Sequence, residues 1–423
     1  MFEFNKSVIV GYDLSNEYSQ ISYYTSGDDI AKTVSIKEDE EEYCIPLCLF
    51  KRSEVNQWFV GADAIRYSQA DEGEMIWQLW DRALIGEPVT VAGEQFDPIA
   101  LLTLYVRRTL NMLTNNVNKN SIEGIMFTVP GLTKRAIEVL TAVSSALDYK
   151  SAKIGFLGRE ESIFYFIINQ PKELWGHDVA VYDYAGKDLT CYTFRLNRIT
   201  RPVVSFVEKQ DFTPGDLPDR EKDDAFLDIV HQTVDGRVVS CAYLLGDGFA
   251  GEWCNDSLRE LCRNRRSFRG NNLYSRGACY AMQDRLKGVK NEDKNIIFLG
   301  RDKLKANIGM DVIRGRENSY LALLDGGENW FDSKKKAEVI LNEGNSFTVK
   351  ITPLDGRNVR NVNIVLDGLN EHEPKSVRLR IEAVMESEDV LRINVTDLGF
   401  GEFFEGSNRL FTRTISLTED NGV

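Results

Sequence analysis

The feature that most constrains the fold of this chain is a change of hydrophobic periodicity near residue 290. Beyond the charged segment Lys287–Lys294, apolar and polar residues alternate with a period of two almost to the end. The runs Phe347–Ile351, Val377–Ile381 and Leu391–Val395 are examples, and turn residues separate them. Such alternation buries one face of each strand and exposes the other. It predicts a β-sandwich over residues 296–423.

Residues 1–290 mix strand and helix signals. Short apolar runs typical of buried strands occur at Val8–Asp13, Gly124–Pro130 and Val179–Asp183. Between them, Asp97-Pro98 combines an N-cap residue with a proline suited to the first helical position. Strands that alternate with helices predict an α/β domain, and a chain of 423 residues is long enough for two domains.

The charge and hydropathy exclude several classes of partner. A net charge of −14 argues against a general binder of nucleic acid or of anionic membranes, because both normally present a basic surface. No run approaches the roughly 18 apolar residues that a membrane-spanning helix needs, and the first residues do not form a secretory signal. We therefore expect no nucleic-acid partner and no membrane partner.

The cysteines and histidines are few and scattered. Seven cysteines include no Cys-x-x-Cys pair, and the chain has three histidines. This spacing does not suit a zinc site. The simplest interpretation is a set of reduced, mostly buried thiols, which predicts a cytoplasmic protein.

Two aspartates end predicted strands, and each is followed by a turn into another strand. They are Asp13 in the segment Gly11–Asn16 and Asp183 in the segment Asp183–Lys187. Such a pair suits an ATPase that clamps phosphate, because the carboxylates hold Mg²⁺ and water while turn amides face phosphate oxygens. A strand that ends in aspartate is also common for purely structural reasons, and each aspartate alone leaves that alternative open.

A third element is a glycine turn between a strand and a helix. The segment Tyr243–Phe249 contains Gly246, Asp247 and Gly248 before a predicted helix. Glycines at such a turn let a nucleotide approach the backbone closely. Glycine turns also join many strands to helices without binding a ligand.

The order of these parts resembles that of the heat-shock protein 70 chaperones, which have an actin-like ATPase fold with ribonuclease-H-like lobes. The resemblance covers nearly the whole chain. The matching segments are Gly11–Leu14, Leu84–Gly86, Thr128–Gly131, Asp183–Leu189, Gly246–Gly248, Asn271–Ala278, Val365–Leu369 and Arg378–Asp397.

The resemblance implies roles for individual residues. In an active ATPase, Asp13 and Asp183 would position Mg²⁺ and water, and Arg82, which stands at the catalytic lysine position, would contact the γ-phosphate. Glu160 or Glu161 would orient the nucleophile, and Glu161 is the residue we select. The nucleotide would contact residues of the three loops, namely Gly11, Ser15, Asn16, Gly186, Gly246, Asp247 and Gly248.

The loops depart from the family pattern in ways that weaken phosphate binding. Glu17 and Asp188 place carboxylates where a phosphate would lie, and like charges repel. Two of the three glycines of the second loop are missing, which hinders close backbone approach. Arg82 replaces a lysine and lacks its compact ammonium geometry.

Larger departures concern whole subdomains. Asp183 and Gly246 are only 63 residues apart, so we expect the outer subdomain of the second lobe to be largely missing. We also expect no helical lid after the sandwich.

These features predict a chaperone-like pseudo-ATPase that acts as a protein-interaction or scaffold module. We expect no cofactor, although ATP or ADP with Mg²⁺ is possible, and a protein or peptide partner bound by the sandwich. The alternative is a weak Mg-ATP-dependent chaperone or switch, and a sugar kinase is a remote third. The oligomeric state stays open.

Overall fold

The computed structural model describes residues 7–36, 42–53, 55–113, 117–149, 151–199, 203–287, 296–354, 358–369, 373–399 and 406–418. Contacts divide the chain into two compact units, Met1–Phe298 and Leu299–Val423. Most of the charged segment Lys287–Lys294 lies outside the described residues.

The first unit is built from short strands and eight helices in the described residues. Its strands are β1 (Val8–Leu14), β2 (Tyr18–Thr25), β3 (Lys32–Thr33), β4 (Ile45–Pro46), β5 (Leu49–Arg52), β6 (Trp58–Val60), β7 (Gly73–Ile76), β8 (Val89–Val91), β9 (Glu94–Phe96), β10 (Ile122–Val129), β11 (Lys153–Gly158), β12 (Asp178–Ala185), β13 (Asp188–Asn197), β14 (Val203–Phe212), β15 (Val239–Leu245), β16 (Arg266–Arg269) and β17 (Ile296–Phe298). Its helices are α1 (Ala62–Ser68), α2 (Leu79–Ile85), α3 (Pro98–Met112), α4 (Lys134–Ala146), α5 (Arg159–Ile168), α6 (Asp219–Val234), α7 (Asn255–Leu261) and α8 (Leu273–Lys287).

The helix start predicted at Asp97-Pro98 is confirmed as the start of α3. The Asp97 carboxylate accepts hydrogen bonds from the Ile99 and Ala100 amides, and Pro98 occupies the first helical position. These contacts satisfy amides that no intrahelical carbonyl reaches. Local sequence therefore sets the start of this helix.

The first unit contains two six-stranded sheets, and five strands of each follow the same order. The first sheet runs β11-β10-β1-β2-β3, with β4 beside β2, and the second runs β16-β15-β12-β13-β14-β17. Strand β1 pairs antiparallel with β2 and parallel with β10, and β12 likewise pairs antiparallel with β13 and parallel with β15. Asp13 and Asp183 lie near the ends of the two corresponding strands, β1 and β12.

The interval between Asp183 and Gly246 is used by the second sheet itself. Its described residues form the end of β12, then β13, β14, α6 and β15. These elements complete the sheet and its covering helix, and they leave little chain for an inserted outer subdomain.

Helix α8 packs closely on both β1 and α5. A Cβ atom built at Gly11 of β1 would lie 2.0 Å from the Ser275 carbonyl oxygen, and one at Gly277 would lie 2.1 Å from the Ser162 carbonyl oxygen. Only glycine lets backbones approach this closely. Helix packing thus accounts for a glycine at position 11, and the nucleotide contact that the resemblance implies for Gly11 stays a prediction.

The boundary between the units lies slightly after the predicted one. Strand β17 pairs with β14 of the second sheet, and buried Phe298 stacks on Phe164 with ring centroids 5.2 Å apart. The alternating pattern predicts that Ile296–Phe298 belongs to the second domain. A three-residue strand is too short to show which sheet it joins.

The second unit consists of antiparallel strands. They are β18 (Ala306–Arg314), β19 (Glu317–Leu324), β20 (Lys334–Leu341), β21 (Ser346–Pro353), β22 (Arg360–Val365), β23 (Val377–Met385), β24 (Val390–Asp397) and β25 (Leu410–Ser416). They form two four-stranded sheets, in the orders β19-β18-β21-β22 and β20-β23-β24-β25. The strand runs expected at Phe347–Ile351, Val377–Ile381 and Leu391–Val395 are confirmed, and burial alternates along β23 and β24.

Candidate functional site

The two strand-ending aspartates of the first unit share one internal cation. Arg159, the first residue of α5, donates from Nη2 to both Asp13 oxygens at 3.4 and 3.3 Å. Its Nη1 donates to Asp183 Oδ2 at 3.3 Å. All three side chains are buried, with residue exposures of 8% for Arg159, 0% for Asp13 and 7% for Asp183. A guanidinium therefore bridges the two carboxylates.

Tyrosines hold this arginine in place. The Tyr274 hydroxyl donates to Asp183 Oδ2 at 2.7 Å, and the Arg159 guanidinium lies 4.3 Å from the centroid of the Tyr274 ring. Arg159 Nη2 also lies 3.5 Å from the Tyr18 hydroxyl. A cation over an aromatic face and beside two carboxylates is strongly stabilised when water is excluded.

The electrostatics of the cluster follow from burial and from one cation facing two carboxylates. Burial raises the pKa of Asp13 to about 6; the Arg159 charge opposes this shift and the Asp183 charge adds to it. Burial alone would lower the pKa of Arg159, but Asp13, Tyr18, Tyr274 and Asp183 reverse this and raise it well above its usual value. Arg159 is therefore a permanent charge at this position.

The raised pKa of Asp13 predicts the pH dependence of stability. A carboxyl whose folded pKa is raised contributes stability below its unfolded pKa, and this stability is lost as pH rises through about 6. We expect the unfolding free energy of Asp13→Asn, relative to wild type, to increase from about pH 4 to about pH 7. Chemical denaturation of both proteins across this range measures the difference. A constant or decreasing difference would contradict the assignment.

Mg²⁺ does not fit between these two carboxylates as they stand. The guanidinium donates to both Asp13 oxygens and to Asp183 Oδ2, so Mg²⁺ would have to displace Arg159 in order to use these three oxygens. In the part of the chain that the structure describes, no group of three or more His, Cys, Asp or Glu side chains could hold a metal ion. Arg159 thus lies where the resemblance places Mg²⁺, and the metal site at Asp13 and Asp183 stays a prediction.

The first loop satisfies its own amides. Ser15 Oγ accepts from the amides of Glu17 and Tyr18 at 3.4 and 3.2 Å, and it donates to the Tyr18 carbonyl at 2.9 Å. In a phosphate-binding turn these amides would face a phosphate oxygen. Here the serine hydroxyl takes that place, and the Glu17 side chain is exposed.

The second loop binds a carboxylate from the third. Gly186 and Lys187 form a two-residue turn between β12 and β13, and the Gly186 amide donates to Asp247 Oδ1 at 3.1 Å. A carboxylate oxygen of the protein thus accepts the hydrogen bond that the Gly186 amide would donate to a phosphate. Asp188, at the start of β13, is exposed.

The third loop packs directly on the second. A Cβ atom at Gly246 would lie 2.2 Å from the Tyr184 carbonyl oxygen, and one at Gly248 would lie 2.5 Å from the Tyr184 ring. Lys222 Nζ donates to the Gly248 carbonyl at 2.7 Å and lies 4.4 Å from the centroid of the Trp253 ring. These contacts fill the space beside the glycines with side chains of the protein.

The structure brings Arg82 to the first loop but leaves its side chain at the surface. Asn16 Oδ1 accepts from the Asp81 amide at 3.0 Å, so the start of α2 contacts the turn after β1. The exposed Arg82 donates from Nε to the Trp77 carbonyl at 2.9 Å. Its predicted contact with a γ-phosphate stays a prediction.

The two candidate glutamates lie in the first turn of α5, directly after Arg159. Glu161 is buried, and its charge adds to burial in raising the pKa of Tyr165. Glu160 is half-buried and adds to the raised pKa of Tyr192, which burial chiefly causes. The role predicted for Glu161 is not tested by this placement.

Arg159 is absent from the site residues predicted from the sequence. It directly follows strand β11, whose last residue, Gly158, pairs with Val129 of β10. The available signal was physical: two buried carboxylates require a nearby cation. Arg159 is a basic residue at a strand end of the same sheet as Asp13.

The second unit contains a gap within one of its sheets. Strands β18 and β21 pair from Ala306 opposite Pro353 to Gly309 opposite Lys350. Beyond this point, as far as the described residues show, β18 pairs with β19 alone and β21 pairs with β22 alone. A groove of about 900 Å³ lies where they diverge. We call this groove, bounded by Met310–Arg314 and Ser346–Val349, the strand gap.

Comparison with known proteins gives a family without an assigned activity. The model described as "Family of unknown function (DUF5716) C-terminal" matches residues 31–301, more than half of the chain. The chain belongs to this family. A second model, "Domain of unknown function (DUF8552)", matches residues 303–417. No curated protein matches the chain. The two matches meet close to the boundary between the structural units.

Two further findings concern membrane-spanning helices and the state of the cysteines. Among the described residues, no helix combines the length and hydropathy that crossing a membrane requires. All seven cysteines are free thiols.

Proposed function

We propose that the protein is a chaperone-like pseudo-ATPase, in which the first unit is a scaffold and the second unit docks a protein partner. The observation that carries this proposal is the guanidinium of Arg159 between Asp13 and Asp183. An enzyme that transfers phosphoryl groups with Mg²⁺ needs carboxylate oxygens open to the metal. Here an internal cation neutralises those oxygens without a nucleotide.

The loops support the same conclusion. The turn amides of the first loop bond to Ser15, the Gly186 amide bonds to Asp247, and Gly246 packs on Tyr184. Each phosphate-binding or nucleotide-binding element that the resemblance implies is occupied by the protein itself. We therefore propose that the first unit is rigid and reaches its folded structure without a bound nucleotide.

The proposed fold of the first unit is the actin-like ATPase fold with two ribonuclease-H-like lobes. The shared strand order of the two six-stranded sheets supports it. For the second unit we propose a β-sandwich similar to the chaperone substrate domain, and its two four-stranded antiparallel sheets support this. The free thiols support the proposed cytoplasmic location.

The docking role of the second unit is supported by the strand gap. Extended peptides bind proteins by adding a strand to an unpaired sheet edge, where main-chain hydrogen bonds give affinity. In the ladders of the described residues, β18 and β21 stop pairing at Gly309 and Lys350, so Met310–Arg314 and Ser346–Val349 are not paired with each other. The proposed partner is accordingly a protein that presents an extended segment.

The alternative is a weak Mg-ATP-dependent switch. It requires Arg159 to leave both carboxylates and Asp247 to release the Gly186 amide before a nucleotide enters. Moving a buried guanidinium away from its partners leaves buried charges without a counter-ion, which costs free energy. This requirement makes the switch the less favoured proposal.

Calorimetric titration with Mg-ATP tests the pseudo-ATPase proposal. We expect the full chain to give no saturable binding at millimolar nucleotide, because its phosphate-binding positions are filled. Asp13→Ala and Asp183→Ala serve as comparison variants. A dissociation constant in the low micromolar range that either substitution weakens would overturn the proposal in favour of the switch.

A further inference from the structure

We propose that the strand gap selects extended segments whose apolar core is flanked by acidic residues. This inference rests on the proposed docking function of the second unit and names the chemistry of the partner.

Each edge of the strand gap is a strand segment with one ladder neighbour in the described residues. Within these residues, Met310–Arg314 pairs with β19 alone, and Ser346–Val349 pairs with β22 alone. A segment of about five residues spans about 16 Å when extended, which matches the unpaired half of β18. Its main chain would find donors and acceptors on both sides.

The floor of the strand gap is apolar. Val339 and Leu341 of β20, together with Leu379 of β23, line the groove from the opposite sheet. Phe347 and Met310 add apolar surface from the two edges. Alternate side chains of an inserted strand would point to this floor, so a core of leucine or valine fits it.

The strand gap is lined by more cationic than anionic side chains. Four cations line it, and none of them has an ion pair or a side-chain hydrogen bond in the described part of the chain; they are Arg314, Lys350, Lys375 and Arg378. Of the carboxylates that line it, Glu338 is engaged by Arg380 at 2.9 Å, which leaves Asp311 and Glu343.

The strand gap therefore has a local surplus of positive charge, although the chain as a whole has a net charge of −14. Complementary charges on a partner steer its approach and fix its register. Carboxylates beside the apolar core of an inserted strand would meet the unpaired cations, whereas lysines there would be repelled.

Fluorescence anisotropy with two labelled peptides tests this inference. Both peptides carry the same leucine and valine core; aspartates flank it in one and lysines flank it in the other. We expect the full chain to bind the aspartate-flanked peptide about threefold to tenfold more tightly. Added salt should narrow the difference, because it screens exposed charges.

Charge reversal in the strand gap provides the matched comparison. Lys350→Glu and Arg378→Glu should each reduce or invert the preference. Lys305→Glu, at an exposed lysine of the same unit that does not line the strand gap, should leave it unchanged. Circular dichroism verifies that each variant keeps its β spectrum.

The possible outcomes separate the inference from the proposed function. Equal or tighter binding of the lysine-flanked peptide would overturn the acidic preference and leave the docking proposal standing. Failure of both peptides to bind wild type would overturn the docking proposal and this inference together. Should a variant not fold, the salt dependence of the two wild-type affinities still decides between acidic and basic flanks.

Discussion

Arg159→Met is expected to lower the unfolding free energy of the first unit by about 3–5 kcal/mol, because it leaves buried carboxylates without their cation. Asp13 is fully buried and Asp183 nearly so. Without the Arg159 charge, which opposes the effect of burial, the pKa of Asp13 should rise further, so the variant should regain part of its stability in acid. Denaturant unfolding at neutral and acidic pH measures both effects.

Arg82→Met is the matched control for this experiment. Arg82 is an exposed arginine of the same unit, and it donates to a backbone carbonyl rather than to a carboxylate. Its replacement should change the unfolding free energy by no more than about 1 kcal/mol. Equal losses in the two variants would show that Arg159 does not bridge the aspartates.

Gly11→Ala is expected to destabilise the first unit by about 3 kcal/mol or more. The added methyl would meet the Ser275 carbonyl oxygen at 2.0 Å and the Cys279 amide nitrogen at 2.5 Å. Both are backbone atoms of α8, so only a displacement of the helix relieves the overlap. Thermal or denaturant unfolding in the absence of any nucleotide measures the loss.

Gly131→Ala is the corresponding control. A Cβ atom at Gly131 would meet no atom within 4 Å, and its φ is not in the left-handed region. Its substitution should shift the unfolding free energy by about 0.5 kcal/mol at most. Equal stability of Gly11→Ala and Gly131→Ala would contradict the packing explanation for Gly11. It would favour the nucleotide contact that the resemblance implies.

Local features of this fold could be predicted because local chemistry determines them. The start of α3 follows from Asp97 and Pro98, and the strands of the second unit follow from their alternation. The strand-ending positions of Asp13 and Asp183 also follow from short apolar runs.

The content of the site could not be predicted, because it depends on residues far apart in the chain. Arg159 is 146 positions from Asp13, and no local pattern relates them. Ser275 is even more remote from Gly11 in the chain, so the glycine suggests a phosphate loop until helix α8 is placed. The same limit applies to β17, which joins its sheet only through β14.

Internal groups pair the polar atoms of these loops within the described residues. Ser15 accepts from the Glu17 amide, Asp247 accepts from the Gly186 amide, and Arg159 donates to Asp183 and Asp13. Buried polar atoms of folded proteins are normally paired in this way. Under the proposed function, the stability of the first unit would therefore not depend on nucleotide.

The most direct test of this account is a crystal structure of the full chain grown with Mg²⁺ and a non-hydrolysable ATP analogue. We expect Arg159 to lie within hydrogen-bonding distance of Asp13 and Asp183, with no nucleotide between the loops. A structure in which Mg²⁺ and phosphate lie between these aspartates, with Arg159 displaced, would contradict the account.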